Sequence, residues 1–141
     1  MASFVKINDF VEDLGNAVHN FDTAQLVVAL TNTAPASEGS NPTADGNGVL
    51  ANLTQITYTN LSSRNVTTTS WSLSSGTAAL VCADLVLTAS GSVGPFRYVY
   101  LYNDTAAGDP LIGYWDYGSS ISLANGETFT VDFGANVLTV A

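Results

Sequence analysis

Gly94-Pro95-Phe96-Arg97-Tyr98-Val99-Tyr100-Leu101-Tyr102-Asn103-Asp104, followed after a short gap by Asp109-Pro110-Leu111-Ile112-Gly113-Tyr114-Trp115-Asp116-Tyr117-Gly118, decides the fold of this chain. Two runs rich in Tyr, Val and Leu, separated by Asn, Asp, Gly and Pro, read as a β-hairpin. Successive strand side chains point to opposite faces, so Phe96, Tyr98, Tyr100 and Tyr102 share one face and Arg97, Val99 and Leu101 the other. Seven of the fourteen aromatics fall in this segment, which makes one face an aromatic ladder. Such a ladder has two uses. Phe96, Val99, Leu101, Ile112 and Trp115 can fill the core of a β-sandwich. Alternatively Tyr98, Tyr100 and Tyr114, with Arg97 beside them, form a partly exposed platform that anchors a protein partner or stacks on sugars. Candidate partners for Arg97 are Asp116 or Asp84 across strands, or an acidic neighbouring subunit.

Working outward, the same signals recur over Val49 to Thr59, Arg64 to Trp71, Ala78 to Thr88, Thr128 to Phe133 and Val137 to Val140, with Gly, Ser and Asn between them. This pattern predicts a mainly β chain, an antiparallel β-sandwich or jelly roll. Gly134 places a terminal hairpin between Thr128–Phe133 and Val137–Val140. Upstream, Gln25 to Thr31 is a compact apolar run suited to a buried strand. One short N-terminal helix is predicted from Asn8 to His19, with Asn8 as N-cap and Phe10, Val11, Leu14 and Val18 on its apolar face. Between Asn32 and Gly48 the chain is rich in Ala, Ser, Asn, Gly and Pro, and reads as a long flexible loop or an arm ordered by a neighbour. The 141 residues make one domain, residues 1–141, large enough for a self-sufficient core.

Charge is scarce and one-sided: Lys6, Arg64 and Arg97 against twelve carboxylates, a formal charge of −9. Phosphate backbones are held by clusters of Lys and Arg, so direct nucleic-acid binding is not expected. The longest apolar run, Ala78 to Leu87, is too short for a membrane span and contains Asp84; the first residues lack the pattern of a secretion signal. A lone Cys82 in Leu80-Val81-Cys82-Ala83 reads as a buried small hydrophobe, with no intrachain disulfide and no thiolate metal cage.

Catalytic chemistry finds little footing. His19, the sole histidine, sits at the predicted helix end, where capping or a surface position is its ordinary role. Asp22 lies nearby and serines abound, but no Gly-x-Ser-x-Gly elbow positions a nucleophile. Gly46 and Gly48 have no following Lys and no strand-to-helix setting, so they are not a phosphate loop. Asp104 and Asp109 offer oxygens to a hard cation but not the six to eight ligands or spacing of a calcium loop; they read as a solvated turn. Asp116 and Asp132 alternate with apolar residues and face solvent or a subunit contact. No catalytic, cofactor-binding or metal-ligating residue is assigned.

The hairpin also resembles a family of small tailed-bacteriophage virion proteins, in which a GPFRYV-LYND segment precedes DPLIGYWDYG and then a strand like Leu123-x-x-Gly126-Glu127-Thr128-Phe129-Thr130-Val131-Asp132-Phe133. Leu26-Val27-Val28-Ala29-Leu30-Thr31-Asn32 looks like that family's "LKVALTN" strand, so the resemblance spans most of the chain. Gln25 departs from the family's opening polar pattern, and Ala34–Gly48 carries none of its motifs. The resemblance implies a non-enzymatic virion structural protein, foremost a capsid decoration (cement) subunit, made in the host cytoplasm and present in many copies or as a homo-oligomer. Its partners would be the major capsid protein or other virion proteins, with no nucleic acid and no membrane. The alternatives are a tail or head-tail component and, from another class, a carbohydrate-binding β-sandwich for host attachment.

Overall fold

The computed structural model describes residues 2–141 and is mainly β, sandwich-like, with one short helix. The strands are β1 (Phe4–Lys6), β2 (Leu26–Thr31), β3 (Asn65–Val66), β4 (Thr68–Ser74), β5 (Thr77–Cys82), β6 (Leu85–Thr88), β7 (Val93–Asn103), β8 (Leu111–Leu123), β9 (Thr128–Val131) and β10 (Leu138–Val140); the helix α1 is Asp9–Gly15. Five strands form one antiparallel sheet in the order β1-β8-β7-β2-β3; β10-β5-β4 and β6-β9 form two smaller ones. No helix is long and apolar enough to cross a membrane among the described residues.

The hairpin expected from the sequence is the β7–β8 pair at the centre of the large sheet, joined by a turn over residues 104–110. β2 lies along its other side with every residue buried, as a continuous apolar run requires when both faces are covered. Phe96, Val99, Leu101, Leu111 and Ile112 are fully buried, and Trp115 nearly so. The second layer meets this sheet through aromatic edges: Phe96 to Phe129 at 5.1 Å between ring centroids, Tyr117 to Phe129 at 5.0 Å, and Trp115 to Phe133 at 5.6 Å. β8 jumps register between Asp116, opposite Tyr98, and Ile121, opposite Phe96; the left-handed φ of +82° at Gly118 allows the bulge. At Gly113 a side chain has no room, because a Cβ there would stand 2.1 Å from the Phe4 ring of β1.

Several sequence expectations are corrected. The run Ala78 to Thr88 is two strands, broken at Ala83-Asp84, one in each small sheet. The terminal hairpin does not form: β9 pairs with β6 and β10 with β5, in two different sheets. Val49 to Thr59 is not a strand but a 3-10 turn at Leu50–Asn52 flanked by isolated bridges at Val49 and Gln55. The helix stops at Gly15, and Ala17 takes a left-handed φ of +58° that turns Val18 and His19 inward. Asn8 is itself helical and makes no side-chain cap; its amide donates to Asp45 at 3.1 Å. Phe10 is buried, whereas Val11 lies more than half exposed.

Residues 32–48 hold specific anchors rather than only small polar side chains. Both oxygens of Asp9 accept backbone N–H groups from this segment, from Gly46 and Gly48 at 2.7 Å each. Glu38 is buried; its carboxylate accepts the Thr31 hydroxyl at 3.3 Å, the Thr54 N–H at 3.0 Å and the Thr54 hydroxyl at 2.6 Å.

Candidate functional site

Strand register brings the four candidate interface residues together. Tyr100 is opposite Tyr114 and Tyr98 opposite Asp116 across β7–β8, so these side chains share one sheet face, and the bulge turns Arg97 onto the same rim. The Tyr100 and Tyr114 rings stack at 5.1 Å with 27° between planes; Tyr98 and Tyr114 are 6.5 Å apart and tilted. Arg97 forms the expected pair with Asp116, Nε donating to Oδ1 at 2.7 Å and an η nitrogen to Oδ2 at 2.9 Å, and lies 5.2 Å from the Tyr98 ring centroid. Asp116 also accepts the Gly118 N–H at 2.8 Å. The Arg97 hydrogen bonds, then the Gly118 N–H, hold the Asp116 carboxyl below the usual range.

The ladder does not, however, face water. Tyr98 is 6% exposed and Tyr100 not at all; Tyr114 is half-buried, and only Arg97 and Asp116 open substantially to solvent. The covering comes from the chain after β2. Ala29 and Thr31 are the cross-strand neighbours of Tyr100 and Tyr98, and Glu38, bonded to Thr31, folds back onto this face. Burial, then Tyr114 and Glu38 nearby, pushes the Tyr100 phenol far up, so it remains neutral, and its hydroxyl has no hydrogen-bond partner. An aromatic platform built from Tyr98 and Tyr100 is thus replaced by a closed polar-aromatic layer, because three carboxylate bonds at Glu38 hold a strap across it. Nothing in the local alternation of Phe96–Tyr102 signals that strap; a single Glu in a segment of small residues was the available clue.

His19 is the second departure. Instead of lying at a helix surface it is buried between Phe10, 5.3 Å away, and Phe21, stacked at 5.6 Å. The Asn103 Oδ1 accepts the backbone N–H groups of Thr105 and Ala106, which leaves its amide NH2 to donate to His19 Nδ1 at 3.2 Å. The proton therefore resides on Nε2, which has no hydrogen-bond partner and stands 3.9 Å from Asp13. Burial lowers the imidazole to about 4, so the ring is neutral at pH 7 and the Asp13 contact is not an ion pair. Asp13 is in turn raised by burial, then by Asp9 and Glu12. No serine is bonded to His19; its contacts bind the helix turn to the end of β7.

Asp104 and Asp109 are turn residues: the Asp104 N–H donates to the Gln25 carbonyl at 2.9 Å, and Asp109, with φ of +49°, accepts the Leu50 N–H at 3.0 Å. Asp132 accepts the Gly134 N–H at 2.8 Å. Cys82 is buried and its thiol raised by burial, as a core position dictates. No family model, curated protein or solved structure matches the chain.

Proposed function

We propose that this protein is a non-enzymatic structural subunit of a tailed-bacteriophage virion, a capsid decoration protein that binds the head lattice in many copies. The observation that carries this reading is the place of the phage-like hairpin in the molecule. GPFRYVYLYND and DPLIGYWDYG form the central β7–β8 pair, in which Tyr98, Tyr100 and Tyr102 are buried and Tyr114 and Tyr117 half-buried. A resemblance lodged in the centre of the sheet concerns the whole scaffold. The same burial weighs against a glycan platform, which needs open aromatic faces with polar neighbours, whereas Tyr98 and Tyr100 offer none.

A decoration subunit acts by linkage: each copy that binds the assembled lattice and not its dissociated parts stabilises the assembly. Broad contact surfaces with few charges suit that task, and only 11% of the residues of this chain are charged. The test uses particles that lack this chain. Purified protein should rebind them with saturable stoichiometry, decorate heads in electron micrographs, and raise their resistance to heat or osmotic shock. Binding confined to tails would move the protein to the tail or head-tail alternative. Binding to host glycans, lost on Tyr114→Ala and without effect on bare particles, would sink the decoration reading in favour of attachment.

A further inference from the structure

Among the described residues β4 is the longest strand lying at the edge of a sheet; the other open stretch, β8 beyond Trp115, is broken by the bulge at Gly118. The seven residues of β4, Thr68–Ser74, pair with β5 on one side and with no strand on the other; the other outer strands run from two to four residues. Every second residue of such an edge directs its N–H and C=O outward, a template for another strand. Folded proteins commonly block such templates with Lys, Pro or an inward charge. None of these is present here: Thr68-Thr69-Ser70-Trp71-Ser72-Leu73-Ser74 has no charge and no proline, and Ser70, Ser72, Leu73 and Ser74 are all exposed; the one irregularity, a register shift between Thr68 and Ser70, lies at the start of the strand and leaves Ser70–Ser74 in regular register.

An apolar row adjoins this edge. Leu73 and Val140 both register with Ala78, so the three residues run side by side across β4-β5-β10. Leu73 is 72% exposed and Val140 38%. The next row inward, Trp71, Leu80 and Leu138, is packed, with the Trp71 ring on Phe21 at 5.1 Å. The outer row thus overhangs the core.

Charge selects the occupant. The chain carries −9, yet residues 65–83 contain no ionisable acid or base other than the buried Cys82, and neither does β10. A charged partner finds nothing there to recognise. A second copy, by contrast, is repelled over the acidic surface and least repelled here, and it brings a matching edge. Two copies of β4 joined antiparallel about a two-fold axis place both Leu73 rows on the same side of one continuous six-stranded sheet, because strand alternation has a period of two.

We infer that the free edge of β4, with Leu73, Ala78 and Val140, is a homotypic contact through which two copies of this chain pair edge to edge. The pairing does not rest on the virion reading; it is a property of the isolated protein. Sedimentation over about 1 µM to about 1 mM tests it. The parent should shift from monomer towards dimer as concentration rises. Ser72→Lys and Leu73→Lys, at exposed positions, should each weaken association by roughly tenfold or more, as edge lysines do, with an unchanged unfolding transition. Val86→Lys, exposed on β6 in the other small sheet, should leave it unaltered. A parent that stays monomeric throughout, or a dimer that survives both β4 changes, or one that Val86→Lys disperses equally, overturns the proposal.

Discussion

The β7–β8 hairpin and the β4–β5 hairpin are drawn from similar strand-forming residues, yet the first is buried along Tyr98–Asn103 and Leu111–Gly113 and the second is left with an open edge. In the first, β2 and β1 flank the pair and the Glu38 strap crosses the tyrosine face. In the second, alternate serines face water and the apolar row at Leu73 has nothing over it. The difference teaches that strand propensity announces a strand but not its layer; what surrounds it is settled by distant segments. It also divides the molecule into a part whose changes cost stability and a part whose changes alter association.

The contrast is sharpest at two leucines. Leu101 is fully buried between β2 and β8, so Leu101→Ala should cost about 2–5 kcal/mol in urea unfolding, from lost burial and the cavity left behind. Leu73→Ala, on the open row, should change stability by less than about 0.5 kcal/mol. Equal losses would erase the division between the hairpins.

Acid probes the inner region next. His19 is about 4 in the folded chain against 6.5 unfolded, so between these values the unfolded state binds more protons. The stability this neutral ring supplies is complete above pH 6.5 and is lost as pH falls towards 4, by about 3 kcal/mol in all. Protonation takes place at Nδ1, the atom that accepts from Asn103, so the bond to β7 breaks with it. Asp13 is raised and works in the opposite sense, gaining stability at the acid end. His19→Gln should flatten the pH dependence of the unfolding free energy between pH 7 and 4.5; an unchanged slope would assign it to other groups.

Glu38 tests the strap. Glu38→Ala removes the acceptor of Thr31 and Thr54 and should cost about 1–3 kcal/mol, with faster amide exchange across residues 32–48. Exchange already fast in the parent would show that these bonds do not order the segment, returning it to the flexible arm that its composition predicts.

Much of the inner region was legible in the sequence. The alternation at Tyr98–Tyr102, the apolar run at Leu26–Thr31 and the turn residues between the aromatic strands are local signals, and the structure builds β7, β2 and the turn from them; Phe96, expected on the tyrosine face, is instead carried past the bulge to pack on Phe129. Partner choice was not legible, because it depends on contacts far apart in the chain: Ala78–Thr88 splits between two sheets and β9 ignores β10. The candidate site fared likewise. Tyr98, Tyr100 and Tyr114 meet on one face, as period two dictates, and only the bulge beside Arg97 brings that residue to them; whether the face is open depends on Glu38, some sixty residues upstream of Tyr98 and Tyr100. His19 was misplaced for the same reason, since no spacing links it to Asn103.

The smallest effect belongs to Arg97, on the rim where the closed layer meets solvent. Its pair with Asp116 is bidentate and well aligned, yet both side chains are more than a third exposed, and two exposed ions lose in hydration and side-chain freedom about what they gain by attraction. What the long side chain does supply is cover, since its stem and guanidinium lie beside the Tyr98 ring. Arg97→Met keeps that cover while deleting the charge, and should leave the urea midpoint of the isolated protein unchanged, at low salt and high. Arg97→Ala removes both and should make the edge of the tyrosine layer more accessible, visible as stronger quenching of tyrosine fluorescence by a small neutral quencher. If Arg97→Met instead lowers the midpoint as far as Glu38→Ala does, the rim is a structural part of the enclosed region, and the boundary between the two halves of the molecule lies farther out than the exposure of this pair implies.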